Sequence, residues 1–194
     1  LLDTIAENKK LVHYLDMPLQ HADGEILKRM NRRGDRESLT ALIEKIRTRI
    51  PDITLRTTFI TGFPGESEEQ FCSLHEFIKE TRFDRLGCFT YSAEEDTLAA
   101  EFENQVDEQI KQRRMEIIME DQSYIASEKN EEKIGSVVEV LIEGWDDYIK
   151  CYFGRSTADA PEIDGKVFFT SDRQLVIGEY AFVLVNDCLE YDLL

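Results

Sequence analysis

The sequence predicts an α/β fold built on a parallel sheet, followed by a small all-β domain. Three observations carry that prediction. Runs rich in strand formers (Val12–Pro18, Ile53–Thr61, Arg85–Tyr91) alternate with stretches whose apolar residues recur at helical spacing. Helix start and stop signals fall between those runs. After Gly135 the pattern changes to short strands separated by turn residues.

The first run, VHYLDMP, ends at Pro18. Asp23 is a good N-cap for a short helix carrying Ile26, Leu27 and Met30 on one face and stopped by Gly34. Asp35 or Ser38 can cap a second helix. Its apolar residues Leu39, Leu42, Ile43, Ile46 and Ile50 follow the i, i+3, i+4, i+7 rule up to Pro51. The strand ITLRTTFIT leads into the tight turn Gly62-Phe63-Pro64-Gly65. Ser67 and Gln70 form a capping box for a helix carrying Phe71, Leu74 and Phe77, and RLGCFTY is the third strand. Strand, helix, strand, helix, strand at this spacing demands parallel pairing with right-handed crossovers. Three strands are few for a closed barrel or an open sheet. The chain also starts without Met inside a helical pattern, so a piece of a longer protein is expected.

From residue 105 a long amphipathic helix is expected, with a stripe of Val106, Ile110, Ile117 and Tyr124 and with Ile118 and Ile125 beside it, ending at Gly135. Its expected role is a connector without chemistry. Five short strands follow (Val137–Ile142, Tyr148–Phe153, Lys166–Thr170, Ala181–Val185, Cys188–Tyr191), as in a small barrel of the OB type. The organisation expected is thus 1–100, a connecting helix at 101–134, and an all-β domain at 135–194.

Charge narrows the partners. The net charge is −17, and residues 134–194 hold 12 acidic and 4 basic side chains. A surface of that sign repels phosphate backbones, since nucleic-acid affinity comes largely from Lys and Arg releasing counterions. Free RNA is therefore a poor partner and a basic protein a better one. No apolar run approaches the roughly 18 residues of a membrane span. Cys72, Cys88, Cys151 and Cys188 stand far apart, and no histidine pairs with them at ligand spacing. Buried, reduced thiols in a cytoplasmic protein are expected, and no metal site.

Parallel α/β sheets place their chemistry at the carboxyl ends of strands. Gln20-His21, the turn Gly62–Gly65 with Glu66, and Ser92 stand at those ends. A glycine turn lets backbone amides approach a ligand, and the helix behind it favours anionic groups. Singly these are ordinary structural features. Together, PLQHADGEILKRMNRRG, LRTTFITGFPGE and DRLGCFTYS, in this order over residues 11–95, resemble the second half of the radical S-adenosylmethionine domain of methylthiotransferases.

That resemblance implies a partial (βα)6 barrel, of which this chain holds the last three units, followed by a TRAM domain. It implies S-adenosylmethionine as cofactor. Gln20 and Arg32 would contact the amino and carboxylate groups of its methionine part, and a guanidinium fork suits a carboxylate. Thr58 would face the ribose; many relatives have Asp there, so Thr weakens that contact or leaves it to another residue. Ile60 and Ser92 would line the adenine, and Gly62 and Gly65 would shape the turn. The family also uses two four-iron four-sulfur clusters. Their cysteines, in a C-x-x-x-C-x-x-C loop and an N-terminal domain, are not in these 194 residues, so this chain alone is expected to be inactive. The segment GRSTADAPEIDG, residues 154–165, resembles the branch that methylthiolates the β-carbon of an aspartate in a small-subunit ribosomal protein, S-twelve. Asp159, Glu162 and Asp164 in it are expected to meet that basic partner. A transfer-RNA methylthiotransferase and a non-catalytic ribosome-binding module remain the alternatives.

Overall fold

The computed structural model describes all residues, 1–194. A short helix α1 (Leu2–Glu7) precedes β1 (Tyr14–Asp16), α2 (Gly24–Arg29), α3 (Arg36–Arg49), β2 (Thr54–Thr61), α4 (Glu68–Thr81) and β3 (Arg85–Thr90). The three strands form one parallel sheet in the order β1-β2-β3. Asp23 caps α2, Asp35 and Ser38 close a capping box on α3, and Ser67 and Gln70 close another on α4. Each satisfies amides that a helix N-terminus leaves unpaired.

Strand alternation decides the faces. Leu55 and Phe59 of β2, with Leu86 and Cys88 of β3, point into the helices and join Leu39, Ile43, Ile46, Leu74 and Ile78 in one core of 19 buried residues. Phe59, Phe77 and Phe83 meet edge to face, with centroids 5.8 to 6.4 Å apart. Thr58 and Ile60 lie on the opposite face, level in register with Gly87 and Phe89. Phe89 is 61% exposed there. Leu42, expected among the core positions, is instead exposed, because α3 buries a narrower stripe than its apolar residues allow.

Helix α5 (Glu108–Glu131) packs across β2, β3 and α4. Its buried face differs from the expected one. Ile118 and Ile125 are buried together with Lys111, Arg114 and Gln122, whereas Ile110 and Tyr124 are exposed. The apolar periodicity was the misleading signal, because two of the positions turned inward carry charge.

The second domain holds β4 (Val137–Asp146), β5 (Cys151–Ser156), β6 (Val167–Phe169) and β7 (Tyr180–Leu184), an antiparallel sheet ordered β6-β5-β4-β7. The fifth expected strand, Cys188–Tyr191, reduces to isolated bridges made by Cys188 and Leu193. The second expected strand starts at Cys151, because Asp147–Lys150 turn the chain. Phe153 packs where a side chain on Gly144 would stand, and β4 and β5 slip register at that point. Val140, Ile142, Val167, Phe169, Val183, Val185 and Leu193 form this domain's own core. Cys88 and Cys151 are buried, but Cys72 is exposed on α4, contrary to the expectation of buried thiols.

The two sheets meet through ion pairs at the amino ends of β2 and β3. Arg85 donates to Asp159 at 2.6 Å, with 8% and 4% of their side chains exposed. Arg56 reaches Asp164 at 3.4 Å, and the Tyr14 hydroxyl donates to Asp164 at 2.6 Å. Burial and that carboxylate push the Tyr14 phenol well above its ordinary pKa. Asp159 and Asp164, expected on a partner-facing loop, are instead held inside the chain; Glu162 stays exposed.

Candidate functional site at the carboxyl ends of the parallel strands

Gln20 lies just beyond β1 with φ at 72°, a left-handed conformation that is uncommon for a side-chain-bearing residue. Its backbone nevertheless pairs with β2: its amide donates to the Thr58 carbonyl at 2.8 Å and its carbonyl accepts from Ile60 at 2.9 Å. Gln20, Thr58 and Ile60 are thereby brought side by side. Arg32 folds back toward the same strand end and donates to the Pro18 carbonyl at 3.0 Å. Ser92 follows β3 and is exposed.

The glycine turn is built from both sides. Gly62 and Gly65 have φ of 70° and 79°. A side chain on Gly62 would collide with the Lys111 stem, and one on Gly65 with the Arg29 guanidinium. The left-handed backbone favours glycine at both positions, and at Gly62 the Lys111 stem also leaves no room for a side chain. Arg29 lies over the rings of Phe63 and Phe102, at 5.9 and 5.2 Å from their centroids. Lys111 donates to the Tyr91 carbonyl at 3.0 Å and pairs with Glu108.

Glu66 joins the pieces. It is fully buried, accepts from the Gly62 amide at 2.6 Å and pairs with Arg114 at 2.9 Å. The oxygen that accepts from Gly62 also lies 3.8 Å from His21 Nε2. Burial raises the Glu66 pKa, against the opposing pull of Arg114. His21 is also fully buried, and its Nδ1 accepts from the Asp23 amide at 2.9 Å. That bond places the ring proton on Nε2, which faces Glu66 and has no hydrogen-bond partner. Burial depresses the His21 pKa to about 4, so the ring is neutral. Gln70 adds a tie by donating to Asp23 at 2.8 Å. The loop after β1, the turn after β2 and α5 thus form one buried polar network.

Gln20, Gly62, Gly65 and Ser92 stand beyond the strand ends where the sequence put them, whereas Thr58 and Ile60 lie within β2 and Arg32 follows α2, its guanidinium on the Pro18 carbonyl. Sequence reasoning passed over Lys111, Arg114 and the role of Glu66. The available signal was the spacing of Lys111, Arg114 and Ile118, which puts two cations in line with a core residue on α5.

The side chains of Gln20, Thr58 and Ser92 make no hydrogen bond within the chain, and Arg32 uses one donor, while Ile60 offers an apolar surface beside them. Their donors and acceptors are left to solvent or to a ligand. No three His, Cys, Asp or Glu side chains group together in the chain as a metal ion would need.

Residues 1–78 match the model of the radical SAM superfamily, and residues 134–194 match that of the TRAM domain. Three curated relatives are named ribosomal protein uS12 methylthiotransferase RimO. The chain is 49% identical to the one from Caldanaerobacter subterraneus subsp. tengcongensis, 50% to that of Pelotomaculum thermopropionicum and 46% to that of Clostridium novyi. Each match covers 100% of this chain and 43–44% of the relative, so the chain spans less than half their length. Among solved structures, coproporphyrinogen III oxidase (HemN) from Escherichia coli, described as a radical SAM enzyme, superposes with a TM-score of 0.50 at 17% identity. It covers 81% of this chain and 44% of its own, and bears on the fold alone. Over its whole length in one continuous match, the chain is similar to part of the proteins named ribosomal protein uS12 methylthiotransferase RimO, with a radical SAM match in its first part and a TRAM match in its last.

Proposed function

We propose that the protein carrying this chain methylthiolates the β-carbon of an aspartate in ribosomal protein uS12, using S-adenosylmethionine. One observation carries the reading: the match to relatives bearing that name, at 46–50% identity overall, covers the second domain as well as the first. The second domain is where a protein-modifying and an RNA-modifying enzyme should differ, and here it is acidic, with 12 acidic and 4 basic side chains.

S-adenosylmethionine supplies the radical and the methyl group when bound, and two iron–sulfur clusters are expected on residues outside this chain. The chain's own part is to bind and orient. Gln20 and Arg32 would take the amino and carboxylate groups, Thr58 the ribose, and Ile60 and Ser92 the adenine. The buried Glu66 network would keep the Gln20 loop and the Gly62–Gly65 turn at fixed separation. The protein that carries this chain, loaded with iron and sulfide, should modify purified uS12 in the presence of S-adenosylmethionine and a reductant. Mass spectrometry of the aspartate peptide reads the outcome. Modification of transfer RNA with none on uS12 would contradict the reading.

A further inference from the structure

A cleft of about 860 Å³ opens in the second domain, where its curled sheet fails to close. The sheet order leaves β6 and β7 at the two edges. The C-terminal residues cover the β6 edge: Phe168 donates to the Leu193 carbonyl at 2.8 Å and Leu193 to Lys166 at 2.9 Å. Strand β7 has no such cover, since it pairs with β4 on one side and makes no bridge on the other. All five of its residues, Tyr180 to Leu184, line the cleft. Successive residues point to opposite faces, so a cleft lined by all five runs along the strand's edge.

The walls are apolar, and they are open. Phe182 is 78% exposed and Tyr180 67%, with Leu184, Leu189 and Ile149 also exposed around them. A bare strand edge beside that much apolar surface is what soluble proteins ordinarily avoid. Charge then selects the occupant. Arg173 and Asp192 line the cleft and offset each other, and in the segments that frame it the acidic Asp172, Glu179, Asp187 and Glu190 outnumber the single cation Lys150. A second copy of the chain brings another −17 and is repelled, as is a polyphosphate backbone.

We propose that an extended segment of a basic protein adds as a strand to the free edge of β7, seating apolar side chains in this cleft. Main-chain pairing would give affinity and alternate pockets selectivity. The inference shares with the proposed function only the basic nature of the partner, and it takes over the docking role that Asp159 and Asp164 cannot fill from the domain junction.

The test uses the 194-residue chain and an eight-residue peptide of alternating lysine and valine, blocked at both ends. Titration calorimetry should give saturable binding, and amide exchange should slow in Tyr180–Leu184. Methylating alternate backbone nitrogens of the peptide leaves charge and side chains intact but blocks strand pairing, and should weaken binding at least tenfold. Phe182→Lys should do the same, with circular dichroism unchanged. The proposal is overturned by equal binding of the methylated peptide, by tighter binding of a single-stranded RNA, or by self-association through β7. None of these outcomes depends on S-adenosylmethionine binding, so the proposal and the enzymatic reading fail separately.

Discussion

His21 sits one residue after Gln20, and its burial fixes the loop that presents the Gln20 side chain. A fully buried imidazole with its proton on Nε2 is neutral in the fold but takes a proton readily once unfolded. Its pKa is lowered to about 4 from an ordinary 6.5, with desolvation as the main cause. A depressed pKa means that the stabilising neutral form dominates above 6.5 and that the stability it confers is lost as pH falls toward 4. The difference corresponds to about 3 kcal/mol. His21→Asn keeps an acceptor for the Asp23 amide and removes the titration. Urea denaturation at pH 7 and pH 4.5 should show a smaller acid loss in this variant than in the parent. An identical loss in both would mean that His21 is not the buried base described.

At the scale of elements, the capping residues were readable because capping chemistry is local. Asp23, Asp35, Ser67 and Gln70 each act within four residues. Helix α5 was not readable in the same way. Its inward face is chosen by what the first domain offers, and that is a buried carboxylate, Glu66, and a carbonyl, Tyr91, awaiting cations. The strands of the second domain were located, but the loop holding Asp159 and Asp164 was read as exposed. Only the tertiary fold brings Arg85 and Arg56 opposite it.

Arg114→Met tests the α5 assignment. Removing one partner of a buried pair typically costs about 3–5 kcal/mol, because the remaining charge is left uncompensated. Glu66 would answer by holding a proton, its pKa rising further once the guanidinium that lowers it is gone. A raised carboxyl pKa means stability that is present at low pH and lost as pH rises. The variant's deficit should therefore be larger at pH 8 than at pH 5 in denaturant titrations. Adding Glu66→Gln should recover part of it. A deficit independent of pH would place Arg114 outside the network.

For the whole molecule, the parallel sheet and the second domain are joined by Arg85–Asp159 and by Asp164 with Arg56 and Tyr14. Arg85→Met alone should lower stability by about 3–5 kcal/mol and let the second domain unfold before the first, giving two transitions in a thermal scan. Arg85→Met with Asp159→Leu should come back toward a single transition, since two apolar side chains replace the pair. A single unchanged transition in the first variant would show that the junction does not couple the domains.

The strand-end cluster is the proposed S-adenosylmethionine site. Its most direct test is the equilibrium affinity of the cluster-loaded full-length protein for S-adenosylmethionine, compared among the parent, Gln20→Ala and Arg32→Ala, with iron content measured alongside. Loss of a charge-assisted contact typically costs about 1.5–3 kcal/mol, or roughly 10- to 150-fold in affinity. The structure predicts weaker binding of that order in both variants with iron content unchanged; full affinity in both would contradict it and move the cofactor elsewhere.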